Sequence, residues 1–400
     1  MLNWLIQQSF IKNLINQTSK KTFFKASNDS MNSYLIASDF IINHQTIVVT
    51  LPNLYEAQKY YDVLSQLLDA EDVLFYPADQ VLTTIMALGS PEFKSERLFT
   101  LKQLMTGKPF VVVTTLQGLS QRQLTPKDYE NGVKRLHKDM VYDVEKLVQF
   151  LVYSGYQHAY TVEKPGEFSH RGHIIDVFTL DHDQPYRLDF FDDVIDQIKI
   201  FDVETQRSFA EVESVEIAPM YELFYTDQMK DQAIKKIRSF FEPMHLSERE
   251  MDKLSQDIEW IEERTKLDGL SLYMPFFNDE VTTLFDFAHD AKRYFIDLHK
   301  MRLVEDQTAS DLLTYATTMN GDHFLKIPFL VPLDHHLNES YVAIDNFGFN
   351  APDHAIDMGI GAINQYQGNL QLLSLDLKDM ASYHIYLCIS QKHYLDELTS

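Results

Sequence analysis

The sequence predicts an α/β protein in which a parallel sheet carries helices on its faces and is interrupted by a small α+β domain. Up to about residue 120, apolar runs such as "TIVVTLP" and "PFVVVTTL" alternate with segments of helical periodicity, a pattern typical of parallel sheets. Beyond it, the runs "GHIIDVFTL", "YRLDFF" and "IDQIKIF" are separated only by turn residues, which indicates an antiparallel meander.

These changes of pattern divide the chain into four expected segments. A helix, "DVEKLVQFLVYSGY", leads into the meander, and long charged helical stretches follow it. The polar, turn-rich "VPLDHHLNESY" then precedes a new strand-like run, "YHIYLCIS". The first part of the α/β domain is expected at 1–119 and the α+β domain at 120–212. A mostly helical second part of the α/β domain is expected at 213–330. A linker with the start of a further α/β domain is expected at 331–400.

Composition narrows the classes of function. The formal net charge of −24 argues against broad contact with nucleic-acid backbones, which needs clustered Lys and Arg. A lone cysteine, Cys388, fits a reducing compartment. No apolar run approaches the roughly 18 residues of a membrane span, and the N-terminal "MLNWLIQQSFIKNLI" indicates an amphipathic helix without a cleavage site. We therefore expect a cytoplasmic protein with no membrane partner.

The first strand should lead into a phosphate-binding loop if this sheet binds a nucleotide. Against the pattern G-x-x-x-x-G-K-[ST], the glycine positions of residues 26–33 hold Ala26 and Met31, the lysine position holds Asn32, and only Ser33 fits. The glycines let the backbone wrap a phosphate and the lysine neutralises its charge. We expect a degenerate, P-loop NTPase-like scaffold whose loop, 26–33, does not function.

The acidic position of such a site is degenerate as well. "KRYFIDLHK" places Asp297 after a strand, but Leu298 occupies the position of a catalytic Glu. No other catalytic motif replaces this chemistry, so neither an enzyme nor a cofactor is expected. An ATPase that uses Ser33 and Asp297 with a lysine from elsewhere stays open as an alternative.

Histidines in the meander raise the question of a metal site. His170 and His173 point to opposite faces if they continue one strand, and His182 lies in the following turn. The adjacent His335 and His336 lie in a polar stretch. No metal site is expected.

The strand "YRLDFF" is the most informative part of the meander. Alternation places Tyr186, Leu188 and Phe190 on one face and Arg187, Asp189 and Phe191 on the other. If the first set is buried, the second displays an arginine and an aromatic, the composition of interface hot spots. Gly172 permits a bend that aims Arg171 at the same patch.

An alternative is that Phe191 belongs to the core and that the two arginines pair with nearby aspartates: Asp189, Asp192 or Asp193. From 161 to 212 there are five Lys or Arg and twelve Asp or Glu. Arginines on such an acidic background favour a specific protein partner over nucleic acid.

Two elements, "GEFSHRGHIIDVF" and "FDVETQRS", resemble the excinuclease UvrB homology module at the front of bacterial transcription-repair coupling factors. Weaker similarity extends over the whole chain. The resemblance implies a non-catalytic module that binds the excinuclease protein UvrA, through the positions that match Arg171, Arg187 and Phe191. It also implies that RNA polymerase and double-stranded DNA are bound only by regions beyond these residues. The ATP-dependent motor is expected to lie in those regions as well. A weak nucleotide-binding or DNA-binding module of the same kind is the alternative.

Overall fold

The computed structural model describes residues 2–16, 20–25, 29–81, 83, 89–265, 267–316, 323–345, 352, 354–358, 369–380 and 382. The described strands, β1 to β15 in chain order, are Lys21–Lys25, Ile47–Leu51, Val73–Tyr76, Val111–Thr115, Lys134–His137, Gln157–His158, Glu167–Arg171, Ile174–Val177, Tyr186–Phe191, Val194–Phe201, Ser208–Val212, Ser214–Ile217, Lys292–Ile296, Tyr341–Asp345 and Ile356–Asp357.

The described α-helices are numbered in the same way. In chain order, α1 to α15 are Leu2–Leu5, Ser9–Ile15, Asp29–Asn43, Leu54–Leu67, Pro91–Leu104, Leu116–Ser120, Pro126–Gly132, Val144–Tyr153, Asp227–Phe241, Glu248–Glu263, Met274–Phe277, Leu284–Phe287, Leu298–Tyr315, Leu333–His336 and Leu370–Asp379.

A seven-stranded parallel sheet forms the centre of the α/β part, in the order β15-β1-β14-β13-β2-β4-β3. Successive residues of β2 supply two different cores: Ile47 and Val49 pack with α3 and α4, whereas Val48 packs with α5. Helices therefore cover both faces, which explains why these strands are apolar throughout. The predicted parallel sheet is confirmed.

Between β4 and β13 the chain builds the second sheet. Its order, β11-β10-β9-β8-β7-β6, follows the chain backwards, and every pair except the short β6–β7 pair is antiparallel. The predicted antiparallel meander is confirmed. Its inner face packs on α8 through Leu147 and Leu151. β5, which precedes the meander in the chain, and β12, which follows it, pair to form a separate two-stranded antiparallel sheet.

The structure corrects the linker expected from residue 331. β14 is a central strand of the parallel sheet, where it pairs with both β1 and β13. Its residues are buried apart from Asp345, so Tyr341–Asp345 belong to the α/β part. The strand expected at "YHIYLCIS", with Cys388, lies outside the described residues.

The N-terminal segment also differs from the expectation of one helix. α1 and α2 are separate because Gln8 adopts an extended conformation, with ψ 129°, and its side-chain amide donates to the Trp4 carbonyl at 3.1 Å. The break lets Leu5 and Ile11 both reach the core. Among the helices that the structure describes, none has the length and apolar character needed to cross a membrane.

Candidate functional site

The alternation predicted for β9 is confirmed. Leu188 and Phe190 are buried against the core under α8. On the opposite, outer face of the meander, Phe191 is 72% exposed. The alternative in which Phe191 belongs to the core is therefore wrong.

Arg171 and Arg187 are brought together by a shared carboxylate that was not predicted as their partner. Strand register places Asp176 of β8 directly opposite Arg187 of β9. Arg187 donates to both Asp176 oxygens, from Nε to Oδ1 at 2.7 Å and from Nη2 to Oδ2 at 2.9 Å. Arg171, at the end of β7, donates from Nη2 to Asp176 Oδ2 at 2.6 Å. One carboxylate thus orients both guanidinium groups.

Burial makes this arrangement rigid. The Asp176 side chain is fully buried, whereas that of Arg187 is 18% exposed and that of Arg171 is 45% exposed. The hydrogen bond to Asp176 raises the pKa of Arg187 above its ordinary value. A buried carboxylate needs such partners, because an unpaired charge away from water is costly.

A second set of contacts fixes Arg187 from the other side. Its guanidinium carbon lies 4.5 Å from the centre of the Phe201 ring, and Nη1 donates to the Gln206 carbonyl at 3.3 Å. Phe201 is buried with Val162 and Phe178 in a small cluster on the outer face. The side chain is therefore held in place before any partner arrives, which lowers the entropy cost of binding.

Turns at the ends of the strands complete the surface. Gly172, in the tight turn between β7 and β8, has φ +64°, and no described atom lies within 4 Å of where a Cβ would be. The bend predicted at Gly172 is confirmed by this left-handed conformation. At the tip of the β9–β10 hairpin, Asp192 has φ +51°.

The ion pairs of the outer face carry one positive charge in excess. The aspartates of the alternative interpretation, Asp189, Asp192 and Asp193, do not bind these arginines; Asp189 instead pairs with Lys199 at 2.7 Å. Strand register explains the pairing of Asp189 with Lys199. Lys199 of β10 lies directly opposite Arg187 of β9, and Asp189 is two residues along β9 on the same face, diagonal to Lys199. Three cations, Arg171, Arg187 and Lys199, thus face two carboxylates, those of Asp176 and Asp189. We call the outer-face residues Arg171, Asp176, Arg187 and Phe191 the arginine surface.

The degenerate nucleotide site has a different local structure from the one expected. Ala26 lies outside the described residues, but α3 begins at Asp29, so Met31, Asn32 and Ser33 are helical and not part of a loop. Aspartate and serine, the first two residues of α3, are favoured at helix starts. The Asn32 amide donates to the Tyr60 hydroxyl at 3.0 Å within the core.

Asp297 has a structural role at the other expected position. It has φ +59° and caps α13, accepting a hydrogen bond from the Lys300 backbone N–H at 3.0 Å. A cavity of about 210 Å³ lies nearby, at the carboxyl ends of β1 and β14, and Phe24 and Arg302 help to line it. The Arg302 guanidinium is already paired with Asp334 at 2.7 Å.

Two of the three meander histidines lie within hydrogen-bond distance of backbone carbonyls. His170 Nε2 lies 2.9 Å from the Gly172 oxygen, and His182 Nδ1 lies 2.9 Å from the Gln184 oxygen. Over the part of the chain that the structure describes, no cluster of side chains suited to a metal ion occurs.

Comparisons with known proteins bear on this same unit. Residues 135–223 match the model of the UvrB interaction domain, a range that contains the whole meander and the arginine surface. A transcription-repair-coupling factor of Bacillus subtilis (strain 168) is 30% identical over 291 residues, which are 70% of this chain and 24% of that protein. The chain matches the N-terminal region of a transcription-repair-coupling factor.

A second relative agrees with this assignment. The transcription-repair-coupling factor of Staphylococcus aureus (strain USA300) is 35% identical over 209 residues, which are 52% of this chain and 18% of the relative. The match therefore spans a quarter or less of the length of these coupling factors. The names of both relatives refer to the coupling of transcription and repair.

One feature of the sequence indicates that Asp176 is a buried and paired charge. In "GHIIDVF", Asp176 is a lone charge within an apolar run, and such a charge is buried only when it is paired. Its partners depend on strand register, which the sequence does not display.

Proposed function

We propose that the meander domain is a non-catalytic docking module that binds UvrA through the arginine surface and brings excision repair to stalled transcription. The observation that carries the proposal is the Asp176-held pair of arginines on one face with the exposed Phe191. A pre-ordered arginine on the same strand face as an exposed aromatic has the composition of a hot spot. The match of residues 135–223 to a UvrB interaction domain supports the same role.

Alanine at Arg187 or Phe191 is expected to weaken UvrA binding by more than about 1–2 kcal/mol, because each removes a central contact. Binding of purified UvrA to the 400-residue chain, measured by calorimetry, is the test. Phe209 is the matched control, since it is 64% exposed on the edge strand β11 of the same sheet; Phe209→Ala should bind as the unaltered chain does. Unchanged affinity in both Arg187→Ala and Phe191→Ala would refute the site.

We propose that RNA polymerase and double-stranded DNA are bound by parts of the coupling factor other than these residues. The net charge of −24 supports this for DNA, because backbone binding requires clustered cations. In a binding assay with duplex DNA, we expect little binding at physiological salt. Tight binding that falls steeply as salt rises would contradict the proposal.

We also propose that this part of the coupling factor has no ATPase activity. The helical position of Asn32 and the capping role of Asp297 support this, because neither side chain is placed to hold a phosphate or a metal. Titration with labelled ATP in the presence of magnesium is the measurement. Micromolar binding that requires magnesium would revive the nucleotide-binding alternative.

A further inference from the structure

An extended segment beside the β9–β10 hairpin enlarges the outer face. Residues 139–142 run along the start of β10: the Tyr142 N–H donates to the Asp193 carbonyl at 2.7 Å, and the Ile195 N–H donates to the Met140 carbonyl at 3.0 Å. These bonds form an antiparallel bridge between Val141 and Val194. The segment continues the sheet past the end of β11.

Register places three apolar side chains in one row. Val194 pairs directly with Phe191 of β9 as well as with Val141. Directly paired residues share a face of a sheet. The next pair, Ile195 and Phe190, is buried in the core, so the row of Val141, Val194 and Phe191 lies on the outer face. We call this row the apolar ridge.

The ridge is exposed at both ends. Val141 is 72% exposed, as is Phe191, and Val194 between them is half-buried. Single exposed apolar side chains are ordinary, but adjacent ones that form a patch next to polar groups mark interaction sites. Phe191 belongs to both the apolar ridge and the arginine surface, so the two are continuous.

We infer that the apolar ridge is the second half of the docking surface and that Val141 is a specificity-determining residue for the partner of the arginine surface. This inference rests on the proposed function. The partner, UvrA, then presents an apolar side chain that covers Val141 and Phe191, beside an acidic group that pairs with Arg171. The acidic group follows from the 45% exposure of the Arg171 side chain, which leaves part of its guanidinium group open to a partner.

Size and charge favour this partner over a second copy of the chain. A stable interface buries about 800 Å² on each side, more than three side chains provide, so the ridge needs the adjoining arginine surface to be part of the contact. A second copy carries the same charge of −24, which opposes self-association. The ridge and the arginines together suit a partner with an acidic group next to an apolar one.

The test is UvrA binding by the 400-residue chain with Val141→Ser. We expect affinity to fall roughly fivefold, because part of an apolar contact is lost, and Val141→Leu to bind at least as well as the unaltered chain. Val152→Ser is the matched control: Val152 is exposed on α8, which packs against the inner face of the sheet, and its replacement should leave affinity unchanged. A thermal melt of each variant checks folding, which we expect to persist because the segment is held by backbone bonds.

The possible outcomes separate this inference from the proposed function. If Arg187→Ala weakens binding and Val141→Ser does not, the ridge inference is wrong and the proposed function stands. If Arg187→Ala, Phe191→Ala and Val141→Ser all leave affinity unchanged, the proposed function falls as well. A dimer of the chain that Val141→Ser dissociates in sedimentation would also overturn the inference, since the ridge would then bind a second copy.

Discussion

Replacing Asp176 by alanine is expected to lower the free energy of unfolding by about 3 kcal/mol and to abolish most UvrA binding. The change leaves two guanidinium groups without their shared carboxylate, and removing one member of a buried charge pair costs about 3–5 kcal/mol. The lower value applies because the Arg171 side chain is 45% exposed and water can resolvate it. Binding suffers because neither arginine keeps the orientation that Asp176 imposes.

Urea unfolding and calorimetric titration with UvrA, at a temperature where the variant is folded, measure the two effects separately. Asp189→Ala is the control, since Asp189 lies on the same face, is partly exposed and pairs with Lys199. Its replacement should cost less than about 1 kcal/mol. Wild-type affinity in folded Asp176→Ala would show that the carboxylate does not position the arginines for the partner.

Alanine at Arg97 is expected to destabilise the chain by about 3–5 kcal/mol through a different buried pair. Arg97 of α5 donates to Glu222 from Nε at 2.7 Å and from Nη2 at 2.9 Å, and from Nη1 to the Pro77 carbonyl at 2.9 Å. Its side chain is buried and that of Glu222 is mostly so. Because Glu222 follows the last strand of the meander unit, the pair joins that unit to the parallel-sheet domain.

Urea unfolding is again the measurement. Replacing both partners by leucine should recover much of the loss, since a buried ion pair is often no more stabilising than packed apolar groups. Arg135→Ala is the exposed control: Arg135 pairs with Glu130 and Glu216 at the surface and should cost at most about 1 kcal/mol. A small loss of unfolding free energy in Arg97→Ala would mean that other contacts hold the meander unit against the parallel-sheet domain, such as the ion pair of Lys102 with Asp181.

Local patterns predict the elements well because their causes are local. The apolar runs of β2 and β4 and the alternation of β9 follow from which faces are buried, and this is visible in the order of residues. The patch of Arg171, Arg187 and Phe191 is located in the same way, with the resemblance supplying the role of each side chain.

Local patterns do not predict contacts between residues that are distant in the sequence. The sequence places β14 in a linker because its sheet partners, β1 and β13, are separated from it in the chain. The pairing of both arginines with Asp176, and of Lys199 with Asp189, depends on which residues face each other across strands. Helix α3 begins earlier than expected because residues that suit a loop also suit a helix start.

The strand order of the parallel sheet has a consequence for synthesis on the ribosome. Lys21 of β1 pairs with Tyr341 of β14, and β13 and β14 lie between β1 and β2. Translation therefore finishes the contiguous meander long before the seven-stranded parallel sheet is able to form completely. During that interval the first two strands emerge with unpaired edges, a state prone to aggregation. We expect nascent chains of this sequence to need chaperone protection of their first hundred or so residues, while the meander domain is already folded.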